Sequence, residues 1–269
     1  MIDPERERAE LEAYLGERFR ERDLWGHAAL LDAELERVGD EHAFYRRSEA
    51  YLYDLTAFAM AGTKEPYHAW IRTAVAPGAR LLDLGCGIGS DGLALLEDGY
   101  AVTFADFDNP STRYLRWRLE RRGLSAPVVD LDAGLPDGPF DLAYAFDVVE
   151  HVDDPVALLA QMEERARLVL VNVLEDGPGE DVAIHHRALD VDALVRHAAG
   201  QRLRRYRVFK RRSHLLLYAP GPGGRARALS SLWTGRALAL GPVFSDWAGW
   251  HLNRLAGLAP TGRRRPGRA

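Results

Sequence analysis

Cysteine occurs once in this chain, at Cys86, so no intrachain disulfide is available and packing must hold the fold. Lysine is almost as scarce: only Lys64 and Lys210 stand among 35 basic residues, and the arginine bias is typical of GC-rich bacterial coding. No apolar run approaches the roughly 20 residues that cross a bilayer. The charged amino-terminal stretch also lacks the apolar core of a secretory signal. A soluble, cytoplasmic protein without a membrane partner is expected. Nor is there a surplus of positive charge, since a formal net charge of -5 gives no global attraction to phosphate backbones. What is present is 47% hydrophobic content in 269 residues, enough for one substantial core and a smaller accessory region.

The first sixty or so residues show helical spacing. Asp3 can cap and Pro4 open a charged run, Glu5 to Arg22, and further helices are expected over Leu24 to Val38 and Glu41 to Met60. From Arg80 strands alternate with helices, which argues for a parallel sheet wrapped on both faces. Leu203 to Phe209 and His214 to Ala219, joined by a short basic turn, read as a closing hairpin. Three regions follow: a helical cap over 1–62, a ligand-binding core over 63–220, and an extension over 221–269 that begins helical and ends disordered.

The most informative stretch is LLDLGCGIGSDG, Leu81 to Gly92, an apolar strand running through a glycine-rich turn into a helix. Gly85, Gly87 and Gly89 permit positive φ and close approach of a ligand, which suits a nucleoside at a helix amino terminus. The third glycine falls one residue earlier than in the dinucleotide fingerprint, favouring a sulfonium nucleoside over a pyrophosphate and placing a dinucleotide oxidoreductase far behind. Asp106 ends the next strand, about where a carboxylate reaches a ribose diol.

Loop, acid and the segment FDLAYAFDVVEHVDDP, Phe140 to Pro155, follow one another as in the class I S-adenosylmethionine-dependent methyltransferases, small-molecule type, which the chain resembles. The resemblance implies a doubly wound, mostly parallel seven-stranded Rossmann-like sheet and S-adenosylmethionine as cofactor. It implies that Asp83 and the Gly85 to Gly89 backbone, Cys86 included, hold the methionine portion and ribose face. Asp106 would hold the ribose hydroxyls beside Phe107. Asp130 or Asp132 would lie near the adenine amino group, Asp130 being preferred, with the adjacent Leu131 amide reading a ring nitrogen. Phe146 and Asp147 would flank the methionine portion and the transfer point.

In-line methyl transfer requires alignment of donor and acceptor and sometimes removal of an acceptor proton. His151 is the candidate base, because imidazole titrates near neutrality, although Glu150-His151 could merely shape the turn. Tyr45, Tyr51 and Tyr53 lie in one aromatic segment. Tyr53 is a candidate for the chemistry and Tyr45 and Tyr51 for acceptor binding, or all three pack an amphipathic helix. His185 and His186 are candidate substrate contacts; two adjacent histidines without cysteine make a poor metal signature, so no metal is expected. Cys86 reads as a small turn residue rather than a nucleophile. The arginines from Arg202 to Arg212 fall on a strand whose alternation splits them between faces, and no stacking motif accompanies them, so nucleic acid is not an expected partner. A small acceptor in bacterial specialised metabolism is the leading expectation. Intramolecular cyclisation or aminocarboxypropyl transfer releasing methylthioadenosine, and a non-catalytic binder of the nucleoside, are the alternatives. The Trp-rich tail either folds over the site or mediates a homodimer.

Overall fold

The computed structural model describes residues 1–174, 189–209 and 213–222. His185, His186, the basic turn holding Lys210, and the tail from residue 223 lie outside them. The amino-terminal region is built of α1 (Pro4–Leu15), α2 (Glu21–Trp25), α3 (His27–Val38), α4 (Glu41–Arg47) and α5 (Ala50–Ala61). Asp3 caps α1, accepting from the Glu5 and Arg6 amides, with Pro4 in the first turn. The three long helices expected here are each cut. Glu5 to Arg22 ends early at Gly16, whose φ of +55° leaves the helical region, and Leu24 to Val38 is divided at Gly26. Glu41 to Met60 breaks at Ser48, whose hydroxyl accepts from the Tyr51 amide at 3.0 Å and restarts the chain as α5.

The core follows in chain order: α6 (Glu65–Ala74), β1 (Arg80–Leu84), α7 (Ser90–Glu97), β2 (Ala101–Asp106), α8 (Pro110–Arg121), β3 (Val128–Asp130), β4 (Leu142–Ala145), α9 (Pro155–Arg165), β5 (Val169–Leu174), α10 (Val191–Gly200), β6 (Arg202–Phe209) and β7 (Ser213–Ala219). Among the described residues seven strands form one sheet in the order β3-β2-β1-β4-β5-β7-β6, with β7 antiparallel to both its neighbours and the other pairs parallel. This is the doubly wound Rossmann-like sheet with its antiparallel hairpin edge.

Successive side chains face opposite sides of the sheet, so the near-continuous apolar strands feed two cores. Leu81, Leu142, Tyr144, Leu170 and Leu217 pack with Trp70, Ile71, Leu93 and Leu115 of α6 to α8. Leu82, Leu84, Ala143, Val169, Val171 and Leu216 pack with Leu159, Met162, Leu194 and Val195 of α9 and α10. Crossovers leave the carboxyl ends of β1, β2, β3 and β4 along one edge, on either side of the point where the chain reverses direction from β1 to β4, where open α/β sheets bind ligands.

The helical cap is fixed to this core by buried charge. Arg118 of α8 is fully buried and donates to Glu7 and to Glu10 of α1, the latter at 2.8 Å, and also to the Ile88 carbonyl and Ser90 hydroxyl. Arg122 adds a 2.7 Å bond to Glu10, and Ser90 donates to Glu7 at 2.6 Å. Arg118 and Arg122 thus meet Glu7 and Glu10, with Arg6 3.4 Å from Glu10 at the rim, and each charge has a partner. Burial opposes ionisation of Glu10, yet Arg122 and Arg118 hold its carboxyl below the ordinary range.

Candidate active site

β1 ends at Leu84 and the chain turns through Gly85, Gly87 and Gly89, at φ of +70°, +52° and +74°. The Gly85 amide donates to the Ala105 carbonyl at 2.8 Å, which stitches the turn to the end of β2. A β-carbon on Gly85 would come 2.4 Å from Val148, and one on Gly89 would come 2.3 Å from Leu115, so a side chain at either position would be strained and would clash. Gly87 approaches Leu55 of α5, so the cap leans on the turn itself. Asp106 closes β2 and accepts from the Gly87 amide at 2.8 Å and the Phe107 amide at 2.7 Å. Burial pushes its carboxyl up to about 6 even against those two bonds. Asp130 lies beside it in the β2–β3 register.

The other end of the edge carries a cation. Lys64, just before α6, places its ammonium 3.1 Å from Asp147 Oδ2 and 3.4 Å from Asp91 Oδ2. Burial opposes the charge, but the two carboxylates hold the ammonium far above its ordinary range. Asp147, immediately beyond β4, has a φ of +56°, and strain of this kind in a non-glycine residue collects at functional sites. Asn172 of β5 pins it there, accepting from the Asp147 amide at 2.8 Å and donating to Oδ1 at 2.6 Å. Neither Lys64 nor Asn172 was expected from the sequence. The usable signal was rarity: a chain that takes arginine almost everywhere keeps lysine at 64, and lysine is the better point charge for a compact buried slot.

Helix α4 lies across the loops at this edge. Arg46 forms a two-pronged bond to Asp132, with Nη2 at 2.7 Å, and its guanidinium sits 4.4 Å over the Phe107 ring. Asn109 donates to the Tyr45 carbonyl at 3.3 Å, and the Tyr45 hydroxyl is 3.0 Å from His151 Nδ1. Tyr51 packs edge-on to Tyr45, and burial raises its hydroxyl well above the ordinary range within the fields of Lys64 and Asp106.

The edge therefore brings together Asp106, Phe107, Asp130, Asp147, His151, Tyr45 and Tyr51. Tyr53 is not brought to them: its hydroxyl accepts from the Arg20 amide at 2.9 Å and its ring stacks on Phe19, inside the cap. Phe146 is buried between Tyr67 and Tyr144. Leu131 is half-buried against the α9–α10 face, while Asp130 accepts from the Asp132 amide at 3.0 Å. The Cys86 thiol is raised by burial and by the charges of Asp106 and Asp83, which disfavours a thiolate.

Asp83 lies beneath the turn rather than at its surface. It is 4% exposed, Oδ2 has no hydrogen-bond partner among the described residues, and a β-carbon on Gly92 would sit 2.7 Å from it. Burial, reinforced by Asp91, pushes its carboxyl up to about 8. A pKa raised on folding gives stability that is complete below about pH 4 and is lost as pH climbs towards about 8. Asp83→Asn is therefore expected to raise the melting temperature relative to wild type, by an amount that grows from pH 5 to pH 9. The gain at pH 9 should be of order 3–5 kcal/mol. Parallel melting curves across that range would refute a neutral Asp83.

Residues 82–167 match the family model described as a methyltransferase domain. The chain is 32% identical over 111 residues to a ubiquinone biosynthesis O-methyltransferase of Xanthomonas campestris pv. campestris, covering 36% of this chain and 46% of that protein. It is 29% identical over 141 residues to the ribosomal protein L11 methyltransferase of Neisseria meningitidis, covering 50% and 46%. The chain thus spans less than half the length of these curated relatives. The solved structure of magnesium protoporphyrin IX methyltransferase from Synechocystis with bound SAM shares the fold, with a TM-score of 0.51 at 16% identity over 72% of this chain and 97% of that one. Among the described residues no cluster of three or more acidic, histidine or cysteine side chains could hold a metal, and no helix is long and apolar enough to cross a membrane.

Proposed function

Because the core of this chain is a class I S-adenosylmethionine-dependent methyltransferase domain, with S-adenosylmethionine as cofactor, we propose that the protein methylates an oxygen, nitrogen or carbon of a small-molecule acceptor. The observation that carries this reading is the division of one sheet edge between two chemistries. Asp106, beside glycines whose backbone a ligand can approach, suits a ribose diol; the Lys64–Asp147 pair suits the carboxylate and ammonium of an α-amino acid. When bound, S-adenosylmethionine supplies an electrophilic methyl group on a sulfonium.

The chain's own work is alignment. Asp106 anchors one end and Lys64 with Asp147 the other, so the region between them is fixed against rotation. Asn172 holds Asp147 in place. His151 would take the acceptor proton. Its Nδ1 lies 3.0 Å from the Tyr45 hydroxyl, and the neutral imidazole would be the base. Tyr45 and Tyr51 face the acceptor as rigid aromatic walls, and α4 strapped over three loops limits the acceptor's size, which supports a small molecule over a polymer. Cytoplasmic work in bacterial specialised metabolism, a homodimeric state, and acceptor contacts from His185 and His186 belong to the same proposal.

The test is product analysis by mass spectrometry after incubation with S-adenosylmethionine, with and without a panel of phenols, amines and activated carbon acids. Acceptor-dependent S-adenosylhomocysteine with a 14 Da gain on the acceptor is expected. Methylthioadenosine released from the donor alone would replace methylation with cyclisation or aminocarboxypropyl transfer.

A further inference from the structure

Behind the Lys64 ammonium lies a second layer of buried charge. Asp91 divides its carboxylate: Oδ2 faces Lys64 at 3.4 Å, and Oδ1 meets His68 Nε2 at 2.7 Å. His68, on α6, is fully buried, with Nδ1 3.5 Å from Glu65 Oε2. Glu65 is bonded in turn by Arg72, which also holds Asp98. From the sheet side, Asp147 acts on the same ammonium, and Asp83 adds to it once its raised carboxyl ionises. Anions thus outnumber cations around Lys64, and the state of His68 decides by how much. Burial works against an imidazolium there, but Asp91 and Glu65 outweigh it and raise His68 above its ordinary range.

We propose that His68 is a positioning residue for the donor's amino-acid end: its imidazolium neutralises Asp91, which leaves the Lys64 ammonium available to an incoming carboxylate. The proposal rests on the reading of this edge as the donor site and adds a titratable control of donor affinity. With His68 charged, Asp91 is satisfied from α6, and Lys64 needs to balance only Asp147 before the ligand arrives. As the ligand ammonium engages Asp147, the Lys64 charge passes to the ligand carboxylate. With His68 neutral, Asp91 and Asp147 both bear on one ammonium, and a third carboxylate enters an anionic pocket. Donor affinity therefore falls as pH rises past the imidazolium's titration.

The experiment is calorimetry of S-adenosylhomocysteine binding to the full chain across the His68 titration, located first by NMR of histidine-labelled protein, in wild type, His68→Gln and Asp83→Asn. Glutamine keeps a donor to Asp91 without the charge. The ratio of wild-type to His68→Gln affinity is expected to fall roughly fivefold or more over this range, and the ligand's own ammonium cancels in the ratio. Asp83→Asn should keep the part of the fall that follows the His68 titration, which separates His68 from the Asp83 carboxyl that titrates nearby. Histidine-labelled wild-type protein, followed by NMR, gives the same answer without a His68 variant: the ligand should move the His68 titration upward, as reciprocity requires. A constant affinity ratio, or a His68 titration indifferent to ligand, overturns the proposal while leaving the donor site standing. Absence of binding at every pH by folded protein overturns the donor site and this proposal together.

Discussion

Asp106→Ala is expected to weaken S-adenosylhomocysteine binding by about two to three orders of magnitude. Two hydrogen bonds to an ionised acceptor are worth about 1.5–3 kcal/mol each, so losing both removes about 3–4 kcal/mol or more. The effect should fall on the ligand rather than on the fold. Among the described residues Asp106 accepts from only the Gly87 and Phe107 amides, and burial already opposes its ionised form. The same carboxyl gives affinity an acid limb. Its titration near 6 means that the accepting carboxylate fills as pH rises through that value, so binding should strengthen over the range and weaken towards tenfold per unit below it. Asp106→Asn should flatten the limb. Calorimetry of the variants between pH 5 and 7.5 checks both statements, and wild-type affinity in Asp106→Ala would withdraw the ribose assignment.

Arg118→Met is expected to give the largest loss of stability of any single change considered. It leaves Glu7 and Glu10 in a place where both are nearly inaccessible, with Arg122 and, at the rim of Glu10, Arg6 as their remaining cations. Breaking a buried ion pair from one side costs about 3–5 kcal/mol, or a fall of about 10 °C or more in melting temperature for a chain of this size. Because the lost bonds join α1 to α8, limited proteolysis should release residues 1–62 before the sheet is cut. Adding Glu7→Gln and Glu10→Gln should recover most of the loss by removing the orphaned charges. The sign of the pH effect follows from Glu10, whose carboxyl is held below its ordinary range. Its contribution is complete above the unfolded value near 4.3 and is lost as pH falls through the lower folded value, so the cap should loosen in acid. A wild-type melting curve for Arg118→Met would show that the network does not dock the cap.

The parts of this architecture that depend on neighbours in sequence were legible from sequence alone. Buried strands need unbroken apolar runs, tight turns need glycine, and the carboxyl end of β2 must follow the turn at a fixed interval, so Gly85 to Gly89 and Asp106 stood out. The antiparallel hairpin was legible because β6 and β7 pair across a short turn. What escaped depends on distant contacts. The apolar spacing of the cap continues across Gly16, Gly26 and Ser48, and only docking on the core decides that the helix stops at each. Lys64 and Asp147 are 83 positions apart in the chain and meet because α6 packs on the sheet face that Leu81 of β1 and Tyr144 of β4 share, and β4 pairs directly with β1. Tyr45, Tyr51 and Tyr53 look alike in one aromatic segment, yet Tyr51 and Tyr53, two positions apart on α5, face different sides of that helix, so Tyr51 packs against Tyr45 and Tyr53 is seated in the cap. Nor does the sequence show that Asp132 is paired with a partner far away, Arg46.

The central claim is that one sheet edge cradles both ends of an adenosyl amino acid, and a crystal structure of the protein grown with S-adenosylhomocysteine tests it most directly. The account predicts the ribose hydroxyls on Asp106, the amino-acid carboxylate on Lys64 with its ammonium on Asp147, and the adenine towards Asp130. A ligand seated away from the Gly85 to Gly89 turn, or a Lys64–Asp147 pair left closed beneath a bound ligand, would contradict it.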